Sequence, residues 1–167
     1  MIHPKLEQRY ISNLQSAKVH NFKKEFIGFE LDHRDATLPK RADDGSAGYD
    51  LTSIEHITLN PGEFQVISTG LKAEFLPDIE FQIRPRSGMA AKYGVTVLNA
   101  PGTIDSSFKG VIGVILINLS KLPYEINIGD RIAQGILAKV PFSESIEIDK
   151  VTPNEERGEG GFGSTGR

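Results

Sequence analysis

The stretch VIGVILINLSKLPYEINIGDRIAQGILAKV, residues 111–140, decides the fold class. Val111–Asn118, Tyr124–Ile126 and Ile132–Val140 are short apolar or alternating runs, and the turn formers Ile128-Gly129-Asp130 separate the last two. The same pattern continues upstream, with runs at Ile57–Leu59, Phe64–Ser68, Leu71–Phe75, Glu80–Arg84 and Thr96–Leu98. Asn60-Pro61-Gly62, Leu76-Pro77-Asp78 and Ala100-Pro101-Gly102 fall between them as turns. Further out, Ile27, Phe29 and Leu31 alternate with Gly28 and Glu30, as in a half-buried strand. Many short strands at this spacing predict an all-β sandwich or barrel. Ser87–Lys92 is the one internal stretch suited to a helical turn or two.

Both ends of the chain differ from this middle. In residues 1–24, Pro4 is placed to open a short helix with Leu6, Tyr10, Ile11 and Leu14 toward one side. After Pro153 the chain ends in RGEGGFGSTGR, residues 157–167, too rich in glycine to fold alone. It reads either as a solvated tail or as an arm that orders over a ligand. The expected organisation is an extension over 1–24, a β domain over 25–152 and an arm over 153–167.

A chain of 167 residues fits one domain with a real core. Its net charge of −3 argues against a broad nucleic-acid footprint, so any phosphate site must be local. There is no cysteine, which excludes disulfides and thiolate metal sites. No apolar run approaches a membrane span, and MIHPKLEQRY lacks the layout of a secretory signal. The expectation is a soluble, cytoplasmic protein with neither a membrane nor a nucleic acid as partner.

Several segments hold residues able to do chemistry. Arg84-Pro85-Arg86-Ser87-Gly88-Met89-Ala90 follows an apolar strand, and Arg86, the Ser87 hydroxyl and free amides at a helix start would make a phosphate cradle. The same residues also read as a capped helix with surface arginines. Gly102–Gly110 sits between two strands, as a hairpin tip or its flank. There Asp105 is open to two readings, a general base acting on water or the holder of a turn. Ala47-Gly48-Tyr49-Asp50-Leu51 puts an acid just inside a strand, bonding backbone amides or facing a metal's water shell. In Gly129-Asp130-Arg131-Ile132-Ala133-Gln134, the Asp130–Arg131 pair reads as structural and Gln134 as a residue that reaches a ligand. The four histidines are scattered, so a catalytic metal would be a hard cation such as Mg²⁺, held by substrate phosphates and water. Neither a Gly-x-Ser-x-Gly elbow nor a Walker-type loop is present.

Taken in order, Ala47–Leu51, Arg84–Ala90, Asn99–Gly110, Gly129–Gln134 and Arg157–Gly166 resemble the five motifs of the trimeric dUTPase family. The resemblance spans about residue 26 to the C-terminus. It implies a distorted β-barrel or jelly roll with a short N-terminal helical extension. It further implies a homotrimer that hydrolyses dUTP to dUMP and pyrophosphate in sites shared between subunits. By the same resemblance, Asp105 is the catalytic acid that deprotonates water for attack on the α-phosphorus. Asn99, Gly102 and the main chain at Ile104 receive uracil, and Phe108 stands under the deoxyribose where the family usually has Tyr. Arg86, Ser87, Gly88 and Gln134 hold the phosphates. Arg157, Gly163, Ser164 and Thr165 clamp the γ-phosphate, while Phe162 covers the base. Mg²⁺ bridges phosphate oxygens, and Asp50 bonds its coordinated water.

Two rival readings remain. One is a dCTP deaminase of the same superfamily, alone or in a bifunctional form; Val111-Ile112 stands where the dUTPase pattern often carries Glu. The other is a regulatory protein on a nucleotide-sensing scaffold, with residues 1–24 as the place to look for a partner.

Overall fold

The structure, a computed structural model, describes residues 3–20 and 25–152, with backbone alone for residues 13–20. The elements run α1 (Pro4–His20), β1 (Gly28–Leu31), β2 (Tyr49–Thr52), β3 (Ile57–Leu59), β4 (Phe64–Ser68), β5 (Leu71–Glu74) and β6 (Ile79–Arg84). They continue with α2 (Ser87–Tyr93), β7 (Val95–Val97), β8 (Gly102–Ile104), β9 (Gly113–Asn118), β10 (Tyr124–Ile126) and β11 (Arg131–Lys139). The strands pair antiparallel into four small sheets, ordered β2-β11-β6-β8, β4-β9-β7, β1-β5 and β3-β10. This all-β arrangement fits a jelly roll, with one helix leading into it.

Alternation along the strands builds the core. In β6, Ile79, Phe81 and Ile83 are buried while Glu80 and Gln82 face partly outward. β9 turns Val114 and Leu116 inward and ends on buried Asn118. Both halves of that amide are satisfied: its nitrogen donates to the carbonyls of Leu59 and Leu122, and its oxygen accepts from the Ser120 amide and hydroxyl. Unpaired, such a buried group would cost about 1–3 kcal/mol. Opposite Ile83, Gly135 of β11 lies under the Phe81 ring, which occupies the space a Cβ would need. That close approach explains a glycine inside the longest strand.

The outer face of β4-β9-β7 is apolar as well. Phe64 and Val66 are 59% and 63% exposed, opposite Ile117 and Ile115 in register. Residues 141–150 follow β11 without strand or helix, and Phe142, Ile146 and Ile148 stand exposed along them.

α1 is longer than the short helix expected. Leu6 is buried and Tyr10 half-buried, its hydroxyl donating to the Phe26 carbonyl at 2.7 Å with the two rings edge to face. Ile11 is half exposed, because it sits about 100° around the helix from Tyr10. Lys139, at the end of β11, pairs with Glu25 at 2.8 Å and Asp78 at 3.0 Å.

Residues 99–110 lie, as expected, in the connection between two adjacent antiparallel strands. β7 pairs with β9, while β8, inside the expected hairpin, hydrogen-bonds to β6 of a different sheet. β8 begins at Gly102, directly after Ala100-Pro101, so its three residues read as part of a turn.

Candidate active site

Register across the four-stranded sheet sets Asp50 of β2 opposite Gln134 of β11, and Gln134 opposite Arg84 of β6. The chain then turns into α2, with Arg86 in extended conformation as its N-cap. Gly94 ends the helix in the left-handed region, its amide bonding the Ala90 carbonyl. This corner brings four side chains together. Arg131 donates to one Asp50 oxygen at 3.0 Å, and the Arg86 Nε lies 3.4 Å from the other. An Arg86 terminal nitrogen also donates to the Arg131 carbonyl at 2.9 Å, and the Gln134 amide donates to the Pro85 carbonyl at 2.9 Å. Gly48 leaves room for this: a Cβ there would sit 2.5 Å from the Gln134 side-chain oxygen. One carboxylate set between two guanidiniums leaves the corner with a net positive charge.

Arg131 reaches the corner through a β-bulge. β11 pairs Ala133 with Leu51 and then Arg131 with Thr52, so Ile132 is an extra residue. Ile132 and Ala133 are both buried, and Arg131 emerges on the face shared by Asp50 and Thr52. Tyr124 and Tyr93 flank the corner with ring centroids 5.1 Å apart. Burial pushes the Tyr124 hydroxyl above its ordinary value; the Asp130 and Tyr93 charges add to this and Arg86 opposes it.

The second group lies in the loop after β8. The Asp105 side chain is exposed, and its carboxylate enters no hydrogen bond or ion pair recorded among the described residues. Its main-chain oxygen closes a turn by accepting from the Phe108 amide at 3.0 Å. Phe108, 43% exposed, folds its ring over Gly110. Lys109 donates to the Ser106 carbonyl, and at the start of the segment the Asn99 amide lies against Gly102.

Within one chain these groups do not meet. Ile104 is opposite Phe81, three residues along β6 from Arg84, roughly 10 Å at strand spacing. Asp105 follows Ile104 on the side away from Arg84. The structure therefore joins Asp50, Arg86 and Gln134, with exposed Ser87 and Gly88 beside them, and holds Ile104, Asp105 and Phe108 apart. Arg157, Phe162, Gly163, Ser164 and Thr165 lie outside the described residues. Sequence reading left Arg131 as structural; the signal for it was the apolar pair Ile132-Ala133, which breaks strand alternation directly after a charge.

No group of three or more His, Cys, Asp or Glu residues able to hold a metal occurs among the described residues. Asp50 is a lone carboxylate with both oxygens already engaged by arginines. That donor set fits a cation carried mainly by a ligand's own oxygens and met through water. Among the described residues, no helix is long and apolar enough to cross a membrane.

An all-β jelly roll with paired guanidiniums at one sheet corner and a free carboxylate on a separate loop has the parts of a phosphoanhydride hydrolase. Comparison with known proteins narrows the class. The dUTPase family profile matches residues 34–166. The deoxyuridine 5'-triphosphate nucleotidohydrolase of Nautilia profundicola is 49% identical over 135 residues, covering 81% of this chain and 94% of that protein. Among solved structures, the Staphylococcus bacteriophage 80alpha dUTPase with dUPNHPP is similar with a TM-score of 0.76 at 26% identity, over 86% of this chain and 100% of that one. The dUTPase of phage phi11 of S. aureus, in a structure describing coordination of a structural Mg(II) ion, shares the fold at a TM-score of 0.70 and 24% identity, over 75% of this chain and 98% of that one. The chain belongs to the dUTPase family. The Nautilia relative carries the name of a nucleotidohydrolase rather than of a deaminase.

Proposed function

We propose that this chain hydrolyses dUTP to dUMP and pyrophosphate in a site assembled from more than one subunit. The observation that carries the reading is the separation just described: Gln134 in the phosphate corner and Asp105 on its loop, both assigned to one α-phosphate, lie too far apart to meet there within one chain.

Asn99, Gly102 and the main chain at Ile104 receive the uracil edge. Cytosine would reverse donors and acceptors there and leave buried polar groups unpaired, a mismatch able to discriminate by factors on the order of 10⁴. Phe108 presents its ring face to the deoxyribose. Arg86, Ser87 and Gly88 hold the phosphate chain and Gln134 bonds at the α-phosphate. Asp105 takes a proton from a water, whose oxygen attacks the α-phosphorus in line as the bond to the bridging oxygen of pyrophosphate breaks. Arg157, Gly163, Ser164 and Thr165 close on the γ-phosphate and Phe162 covers the base, when residues 153–167 of a neighbour fold over the site. Magnesium, brought in on the phosphates and met by Asp50 through water, would neutralise charge along the chain.

Self-association is supported by the second apolar face of β4-β9-β7 and by the uncovered Phe142, Ile146 and Ile148. Buried apolar surface contributes roughly 25 cal/mol per Å², so faces of this kind favour a partner. The expected assembly is a homotrimer.

The test is purified protein with dUTP, dCTP, dTTP and UTP, with and without Mg²⁺, following pyrophosphate and ammonia release, alongside light scattering for mass. Pyrophosphate from dUTP alone, without ammonia from dCTP, in a trimer is the expected result. Full turnover by a strict monomer would end the shared-site reading.

A further inference from the structure

A regular ladder would set Ile132 opposite Thr52 and turn Arg131 into the core beside Ala133. The bulge instead buries Ile132 and Ala133 in succession and delivers Arg131, 54% exposed in its side chain, to Asp50. Bulges beside functional sites commonly re-aim a side chain in this way. Neutralising Asp50 does not require it, because Arg86 already faces the other carboxylate oxygen at 3.4 Å. A second guanidinium on one carboxylate has a purpose where a more highly charged anion is to arrive.

We infer that Arg131 is a positioning residue of the phosphate site, acting through Asp50: its guanidinium fixes the carboxylate against which Arg86 is aligned, while its carbonyl holds the far end of the same Arg86 guanidinium. Arg86 is gripped on two sides, at Nε by Asp50 and at a terminal nitrogen by the Arg131 carbonyl. It keeps one terminal nitrogen for a phosphate, in an orientation fixed before the nucleotide binds. A lysine at 131 would supply charge but not the planar fork. This inference rests on the dUTPase reading above and adds to it a residue and a role.

The experiment compares wild type with Arg131→Gln, Arg131→Lys, Asp50→Asn and the Arg131→Gln/Asp50→Asn double variant. KM and kcat are measured for dUTP, and Kd by calorimetry for its non-hydrolysable imido analogue. Arg131→Gln is expected to raise KM and Kd about tenfold, the size of one charge-assisted hydrogen bond, with kcat changed less than about threefold. Arg131→Lys recovers part of that loss, and because Arg131 acts through Asp50 the double variant is no worse than about threefold beyond Asp50→Asn alone. An unchanged Kd in Arg131→Gln, or losses that multiply in the double variant, would overturn the role. If the glutamine variant does not fold, Arg131→Lys carries the test: a Kd raised about threefold supports the role and an unchanged Kd refutes it. Wild-type turnover of dUTP tests the function separately; should there be none, Kd ratios for inorganic triphosphate still decide whether Arg131 orders a polyphosphate site.

Discussion

The two ends of the β2-β11-β6-β8 sheet are built on opposite plans. At one end, Asp50, Arg86, Arg131 and Gln134 are tied to one another or to main-chain carbonyls, so each side chain is held before any ligand arrives. At the other end, the Asp105 carboxylate stands in solvent, while its loop is fastened by the Phe108 amide and the Lys109 ammonium bonding main-chain carbonyls. Binding a polyanion rewards donors whose geometry is set in advance, since their ordering cost is met during folding. A general base gains nothing from a strong local partner, which would lower its basicity and block its access to water. The contrast teaches that one chain ties its cationic corner together before any ligand arrives and leaves the Asp105 carboxylate open to solvent.

Four measurements would break or sharpen that contrast. The largest effect is expected from Asp105→Asn, which should lower kcat by on the order of 10²–10⁴ while dUTP still binds and the melting temperature stays put. A loss of stability there would mean that the carboxylate is a structural tie after all. Next, removing residues 157–167 should leave a folded trimer with turnover reduced on the order of 10²-fold, read by initial rates and light scattering. Full activity in that truncation would show that no arm completes the open half. At the tied end the balance should reverse. Gly48→Ala forces Gln134 off the Pro85 carbonyl and should cost about 1 kcal/mol in urea unfolding, with a drop in activity beside it. Unchanged stability would show that the corner is looser than its bonds suggest. The smallest effect belongs to a cluster remote from both ends. Hydrogen bonding from Lys72 holds the Asp32 carboxyl below its ordinary range, so its contribution is present above that range and fades as pH falls through the lowered value. Melting temperature should therefore decline on acidification a little less in Lys72→Met than in wild type, with the activity of both unaffected at neutral pH.

How much of this was legible beforehand follows from the physics of each element. β3, β4 and β10 fall where alternation and turn residues put them, because local pattern alone determines a strand with one buried face. β8 escaped because it opens on Gly102 directly after Ala100-Pro101, inside a stretch rich in turn formers, and its partner lies in another sheet. At the site, Asp50, Arg86 and Gln134 were readable as an ordered set of motifs, yet their convergence depends on register, which no short window encodes. Arg131 was passed over because a charge beside a turn is usually a solvated one, and only pairing reveals the bulge that redirects it. Phe108 folds its ring over Gly110, and no buried side-chain nitrogen or oxygen is unpaired among the described residues.

The Lys139 ammonium, clasped by Glu25 and Asp78, brings the point where the chain enters its β body beside the point where it leaves. A cation at the end of the last strand thus serves as the meeting place of three distant parts of the sequence, held by partly solvent-exposed pairs that high salt would loosen.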